Sequence, residues 1–449
     1  MNEPIISISG IRGIFGKSLK PAHVIKYCSG FASYIRGKKR VVIGRDGRLG
    51  GDVIQNLAES VLLFSGCEVI NLGVVSTPTI SLAVETLGAD GGIIITASHN
   101  PQQWNGLKFM NREGIFLNKT GFQDFLKQSE KVPAYSEVND IKQVEYYPDF
   151  YKVHIARALS ISNANYRKIK SRKFRVVVDC VNASGSVIIP ELLGKLGCEV
   201  YKINCDGSGI FPRKPESLPE NLKQVCREVR LKKADMGIVV DPDADRLVII
   251  TEKGKPFGEE NTITTAVKYV LSKSPQNKTA VVNLSTSRSV DDVVNQAGGR
   301  LFKSPVGEIN VIEKMKKVRA VIGGEGSGGV ILPELHYCRD SLAGIVLLLS
   351  AFSEFNGTVS EYRSTLPQYH IEKTVVNTAK LSPDIVFSKI LSHYSAYKIN
   401  TEDGIRIDFE HGWVNLRKSN TEPIIRIISE AQTRKLALQI QRDVLSLIS

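Results

Sequence analysis

The sequence predicts an α/β protein of several domains that closes on a smaller α+β unit, and three observations carry that reading. At 449 residues the chain is too long for one core. A strand–helix–strand plan recurs three times along it, and from Tyr369 onward that plan gives way to short strands before a terminal helix. Such alternation argues for parallel-rich sheets covered on both faces, since each right-handed crossover lays its helix against the sheet.

The first unit runs from Arg40-Val41-Val42-Ile43-Gly44 through a helix to Gly66-Cys67-Glu68-Val69-Ile70. The second runs from Arg175-Val176-Val177-Val178-Asp179 to Gly197-Cys198-Glu199-Val200, so both carry Gly-Cys-Glu-Val after a helix that glycine stops. The third is weaker, from Ala280-Val281-Val282-Asn283 through Val290–Val294 to Gly299-Arg300-Leu301-Phe302. A break at Tyr147-Pro148 precedes the second unit, and Lys253-Gly254-Lys255-Pro256 reads as a linker before the third. The expected domains are 1–150, 151–255, 256–368 and 369–449.

Composition narrows the function classes. Hydrophobic residues make up 42% and charged residues 23%, the balance of a soluble globular protein. The longest apolar stretch, near Ala343 to Phe352, is shorter than the ~20 residues of a membrane span and is expected to be a buried helix. Residues Met1 to Ile14 show no secretory or transit signal, so a cytoplasmic protein is expected. Seven cysteines without a C-x-x-C pair fit reduced thiols. The net charge of +13 is spread along the chain without a dense cluster interleaved with aromatics, which argues against nucleic acid and for small phosphorylated metabolites. No feature marks an interface; a monomer and a homodimer both fit.

Four loops carry chemistry. The first, Thr96-Ala97-Ser98-His99-Asn100-Pro101, follows the apolar run Gly91-Gly92-Ile93-Ile94-Ile95. It presents Ser98 at a strand end, where open α/β sheets bind ligands. The second, Asp241-Pro242-Asp243-Ala244-Asp245-Arg246, lies between two apolar strands. Three carboxylates at alternate positions of a near-extended loop would face one way, which only a cation makes tolerable, and an all-oxygen set favours magnesium over zinc. An EF-hand is excluded because Arg246 stands where that loop needs glycine. The third, Gly323-Gly324-Glu325-Gly326-Ser327-Gly328-Gly329, follows Ala320-Val321-Ile322; its acid and hydroxyl suit sugar hydroxyls, and it lacks the ending of a P-loop. The fourth, Arg417-Lys418-Ser419-Asn420-Thr421-Glu422-Pro423 with Arg426, has the cations, hydroxyls and turn amides of a phosphate clamp. Singly, each also fits an ordinary polar turn.

Together with Gly10-Ile11-Arg12-Gly13 and Asn105-Gly106-Leu107-Lys108, these loops resemble the motifs of the α-D-phosphohexomutases, in the family's order and over the whole chain. That superfamily includes phosphoglucomutase, phosphomannomutase and phosphoglucosamine mutase. The resemblance implies a heart-shaped fold of three mixed-sheet α/β domains and a C-terminal α+β domain around one cleft. It implies a phosphorylated Ser98, with Mg2+ held by Asp241, Asp243, Asp245 and a phosphate oxygen on Ser98. Arg12, Lys108 and His99 would surround the transferring phosphoryl group, with Arg246 nearby. Glu325 and Ser327 would grip sugar hydroxyls, and Arg417, Ser419, Asn420, Thr421 and Arg426 the other phosphate. The reaction implied is transfer between hexose 1-phosphate and hexose 6-phosphate through a 1,6-bisphosphate, which also primes the serine, with the C-terminal domain closing during turnover.

Phosphoglucosamine mutase leads among the implied activities, ahead of a bifunctional phosphomannomutase/phosphoglucomutase. A metal-dependent phosphatase would leave Arg417 to Pro423 superfluous, and a basic scaffold would not need the loops at all. Two departures from the family pattern stand out: Gly329 where many relatives end the sugar loop in histidine, and Pro305-Val306-Gly307 where many have lysine-valine-glycine. They mark a subgroup.

Overall fold

The computed structural model describes residues 3–378, 382–418 and 424–448. It contains four sheets in chain order, the first three of mixed direction and the fourth antiparallel.

The first sheet has seven strands, in the order Ile5–Ser7, Gly10–Ile14, Trp104–Met110, Gly91–Ile95, Arg40–Arg45, Glu68–Val74 and Val144–Tyr146. Strand alternation splits its side chains between two apolar cores. Val41, Ile43, Ile93 and Ile95 meet the helices Pro21–Tyr34, Gly51–Phe64 and Lys119–Ser129 on one face, while Val42, Ile70 and Ile94 meet Thr77–Thr86 on the other. The second sheet runs Leu247–Thr251, Met236–Val240, Arg175–Asp179, Glu199–Ile203, and the third runs Arg300–Ser304, Thr279–Asn283, Ile322–Glu325, Gly329–Ile331. The fourth runs His370–Asn377, Ile424–Ala431, Gly412–Lys418, Ile405–Phe409, Lys398–Asn400 and packs on the helices Pro383–His393 and Arg434–Ile448.

One topological rule places all the chemistry. In each of the first three sheets a central parallel strand is followed by a short connection and an antiparallel return strand: Gly91–Ile95 to Trp104–Met110, Met236–Val240 to Leu247–Thr251, Ile322–Glu325 to Gly329–Ile331. A connection too short for a crossover permits only the antiparallel return. The three loops singled out above are those connections, and the fourth joins Gly412–Lys418 to its antiparallel neighbour Ile424–Ala431. The first three sheets are therefore mixed, as expected, with parallel pairs beside each antiparallel return.

Three local expectations change. The Asp241–Arg246 segment is a tight turn and not near-extended, with Ala244 in the left-handed region at φ 50°. Lys253–Pro256 is a hairpin turn folded back on its own strand and not a linker, since the Thr251 amide donates to the Lys255 carbonyl and the Phe257 amide to Ile249. In the Gly-rich loop the strand starts at Ile322 and includes Gly323, Gly324 and Glu325.

The second and third units share one apolar core, with the helix Ser341–Glu354 buried inside it from Ser341 to Ser353, so they are one packed body. No helix among the described residues is long and apolar enough to cross a membrane.

Candidate active site

Ser98 is 2% exposed and sits at φ 48°, a left-handed conformation that costs a non-glycine residue energy unless its surroundings enforce it. The enforcement is visible. The Ser98 amide donates to Thr96 Oγ1 at 2.8 Å, and Thr96 in turn donates to Asp46 Oδ2 at 2.6 Å. Arg48, fully buried, donates from Nε to the same carboxylate at 2.8 Å, and its other nitrogens reach the carbonyls of Ser98 and Trp104. The loop is thus held by a buried Asp46–Arg48 pair that the motif reading missed. The available signal was Arg45-Asp46-Gly47-Arg48, an acid and two bases at the end of the first repeat's strand.

The second unit reaches this loop directly. Gln102 accepts from the Phe211 amide at 2.7 Å and donates to the Gly209 carbonyl, while the Phe211 ring lies 5.3 Å from the Arg48 guanidinium. The Thr77 amide donates to the Asp243 carbonyl at 2.9 Å. These contacts bring the aspartate turn onto Ser98, whose Oγ donates to Asp241 Oδ2 at 3.3 Å and lies 3.4 Å from His99 Nδ1.

Asp241, Asp243 and Asp245 are buried, with one ligand oxygen from each within 4.8 Å of the others. Lys108 Nζ holds Asp243 Oδ2 at 2.7 Å, joined by Thr77 Oγ1 at 2.9 Å. Asp241 accepts the Arg246 amide at 3.2 Å. Against the cost of burial, Lys108 pulls Asp243 well below the usual carboxylate range; burial and the neighbouring Asp245 and Asp243 push Asp241 well above it. Asp243 Oδ1 and Asp245 Oδ1 are buried without a hydrogen-bond partner. Oxygen donors so arranged fit a small hard cation.

Arg12 approaches from the strand Gly10–Ile14 of the first sheet, bonded to the Ser9 carbonyl at 2.9 Å and to Asn100 Oδ1 at 3.4 Å. Burial, with Arg246 and Arg48 adding to it, draws its guanidinium down to about 10. Burial and the nearby Arg246 and Arg12 pull the His99 imidazole down to about 3, so it is neutral at neutral pH. Arg246 Nε stands 3.8 Å from Asp245. Ser98, His99, Lys108, Arg12, Arg246 and the three aspartates therefore form one cluster.

Glu325 is buried behind the hairpin turn that carries half-buried Ser327. It accepts from Asn283 at 2.8 Å, from the Gly307 amide at 3.1 Å and from Arg339, which overcomes the cost of burial and lowers its pKa. The Pro305-Val306-Gly307 departure thus supplies backbone amides. Gly307 serves Glu325, and Val306 donates to Asp403 of the fourth unit at 2.8 Å. Asp403 in turn accepts Arg417 Nε at 3.0 Å.

Arg417 and Arg426 are register partners across the hairpin. Like charges directly opposite cost stability, an arrangement suited to an anion between them. Ser419, Asn420 and Thr421 lie outside the described residues. The fourth unit is tied to the third by Arg288, which donates to the Phe409, Glu410 and Gly412 carbonyls, and by Arg406, stacked 4.2 Å from Trp413 and bonded to the Leu284 carbonyl.

The whole chain has known counterparts. Four stretches match the descriptions of phosphoglucomutase/phosphomannomutase: alpha/beta/alpha domain I over residues 5–132, domain II over 151–254, domain III over 259–369, and the C-terminal domain over 376–447. The chain is similar to a probable phosphoglucosamine mutase of Methanopyrus kandleri, 33% identical over 98% of this chain and 96% of that one. A phosphoglucomutase/phosphomannomutase of Thermococcus kodakarensis is 34% identical over 95% and 94% of the two chains. A phosphoglucosamine/phosphogalactosamine mutase of Sulfurisphaera tokodaii is 30% identical over 99% of each. Among solved structures, a phosphoglucomutase/phosphomannomutase family protein of Burkholderia thailandensis superposes with a TM-score of 0.84 at 25% identity, covering 99% and 97% of the chains.

Proposed function

The chain belongs to the phosphoglucomutase/phosphomannomutase family, and from that premise we propose that it interconverts hexose 1-phosphate and hexose 6-phosphate through a phosphorylated Ser98. The leading substrate is a glucosamine phosphate, the activity in the names of the Methanopyrus and Sulfurisphaera relatives. The second reading, a bifunctional phosphoglucomutase/phosphomannomutase, is favoured by the Thermococcus relative, which is as similar.

One observation carries the proposal: a serine hydroxyl, 2% exposed, stands 3.3 Å from a buried aspartate triad and amid Arg12, Lys108 and Arg246. Phosphoryl transfer asks for positioning and charge neutralisation more than covalent chemistry, which is what such a cluster supplies. The unpartnered oxygens of Asp243 and Asp245, with Asp241, would hold Mg2+, which when bound offsets charge on the phosphate oxygens.

In the proposed cycle phosphoserine 98 gives its phosphoryl group to the free hydroxyl of the bound sugar phosphate. The P–O bond to Ser98 breaks as the bond to the sugar oxygen forms, leaving a 1,6-bisphosphate. That intermediate turns over in the cleft and returns its other phosphoryl group to Ser98; free hexose 1,6-bisphosphate primes an unphosphorylated enzyme by the same step. Arg12, Lys108 and Arg246 steady the transferring group, and neutral His99 can accept or donate one hydrogen bond beside it. Glu325 and Ser327 orient the sugar, while Arg417 and Arg426, with Ser419, Asn420 and Thr421, hold the phosphate that stays.

The test is a parallel assay on the 1-phosphates of glucosamine, glucose, mannose and N-acetylglucosamine, with Mg2+ and catalytic hexose 1,6-bisphosphate. Glucosamine 1-phosphate is expected to give the highest kcat/KM. Faster turnover of glucose and mannose phosphates would favour the second reading, and activity retained in Ser98→Ala would refute the phosphoserine.

A further inference from the structure

Arg339 belongs to none of the loops that the sequence marks out. It lies between the sugar-loop hairpin and the helix Ser341–Glu354, yet its guanidinium meets three carboxylates from three separate segments. Nη2 pairs with Asp245 Oδ2 of the aspartate turn, Nη1 with Glu325 Oε2 at 2.6 Å, and Nε with Glu308 Oε2 at 3.3 Å. Its own amide donates to Glu308 at 2.7 Å. The next residue anchors it: Asp340 caps the helix through the Leu342 amide and pairs with buried His154 and His336 at 2.8 and 2.9 Å.

This geometry leaves Asp245 a single usable oxygen. Arg339 takes Oδ2, while Oδ1 is buried and makes no hydrogen bond, with Arg246 Nε 3.8 Å away. Lys108 does the same for Asp243, occupying Oδ2 and leaving Oδ1. With one free oxygen each, Asp243 and Asp245 would ligate a cation in monodentate fashion. A small ion with a strict octahedral shell accepts that, whereas Ca2+ takes six to eight oxygens and readily uses both oxygens of a carboxylate. The same guanidinium also fixes Glu325. Gly329 makes room for it, because a Cβ there would stand 2.3 Å from Arg339 Cδ. The glycine that departs from the family's histidine and the arginine that fills its space are one device.

We infer that Arg339 is a positioning residue that biases the aspartate triad toward Mg2+ over Ca2+ and, through the same side chain, sets Glu325 for the sugar. The inference rests on the cation role proposed for the triad. Arg339→Lys keeps the charge but not the fork, so it cannot hold Asp245 and Glu325 together. Gly329→Ala keeps every charge and pushes the arginine stem aside.

Calorimetric titration of the purified full-length protein with Mg2+ and, separately, Ca2+ reads the effect without turnover. Loss of such a supporting contact typically changes metal affinity by about 10–100-fold, so the Mg2+ to Ca2+ affinity ratio is expected to fall about tenfold in both variants. The KM for sugar phosphate is expected to rise alongside. A ratio within about twofold of the parent in a variant with an intact thermal transition overturns the inference, as does a parent that binds neither ion. If Arg339→Lys does not fold, Gly329→Ala decides alone. A parent that binds Mg2+ but isomerises no hexose phosphate would sink the proposed function and leave this inference standing.

Discussion

The Ser98 cluster and the Arg417–Arg426 hairpin mark opposite ends of a range of constraint. Around Ser98 the supporting pairs are buried and hold the cluster from behind: Asp46 and Arg48 grip the loop, Thr77 and Lys108 grip Asp243, and Arg339 grips Asp245. The residues at that end come from the first three sheets, locked by hydrogen bonds whose partners lie 50 to 166 positions apart. At the far end Arg417 is 34% exposed, on the rim of a sheet with its own separate core, and is steadied by Asp403. The proposed function accounts for this contrast: phosphoryl transfer at Ser98 would tolerate little displacement and suits an over-determined loop, whereas holding a spectator phosphate would require charge more than exact placement.

The strongest way to break this contrast is to remove the reacting atom or the cation. Ser98→Ala is expected to lower kcat by at least about a thousandfold, and chelation with EDTA to abolish turnover until Mg2+ is restored. Retained turnover in either case would mean that the buried end is not where the chemistry happens.

Next in size is Arg48→Met, which touches no substrate. It strands the Asp46 carboxylate in the interior, and breaking a buried pair costs about 3–5 kcal/mol. Because Ser98 loses its strained conformation as well, kcat is expected to fall about a hundredfold with KM little changed. A variant that melts lower but turns over normally would show that over-determination serves the fold and not the reaction.

Arg417→Ala sharpens the comparison from the other side. Loss of one charge-assisted contact of about 1.5–3 kcal/mol is expected to raise KM for the sugar phosphate about ten- to hundredfold and to leave the melting temperature nearly unchanged. An unchanged KM would sink the clamp assignment.

The smallest effect concerns the junction behind the sugar loop, where the third and fourth units meet. Burial pushes the Glu260 carboxyl up to about 8, partly offset by the Ser287 amide it accepts. A raised folded pKa means that the unfolded chain releases this proton first. Stability is therefore lost as pH rises from about 4.5 to about 8 and is level above that. Glu260→Gln is expected to melt a few degrees higher than the parent at pH 8, with the gap closing by pH 5. A gap that does not vary with pH would mean that this carboxyl is not held neutral by the fold.

Much of this was legible in the chain because the chemistry is locally dense. Thr96–Pro101, Asp241–Arg246 and Gly323–Gly329 each pack their candidate residues into one short stretch at a strand end, and such a stretch is encoded by neighbours. What the pattern did not reveal was the support. Arg48, Thr77 and Arg339 act on residues 50, 166 and 94 positions away, and no spacing rule links such pairs. The aspartate turn departs from the near-extended expectation for a related reason: period-two carboxylates suit an extended segment, and the left-handed Ala244 folds them into a turn.

By itself the sequence determined the α/β class, the repeated units, the four loops and the residue types able to carry a phosphoryl group, because these follow from local periodicity and local chemistry. Only the tertiary structure decided that each loop joins a central strand to an antiparallel return, that the second and third units share one core, and that Arg339 joins Asp245 of the aspartate turn to Glu325. Those facts depend on which distant segments are buried together, and burial is a property of the packed chain, not of any stretch within it.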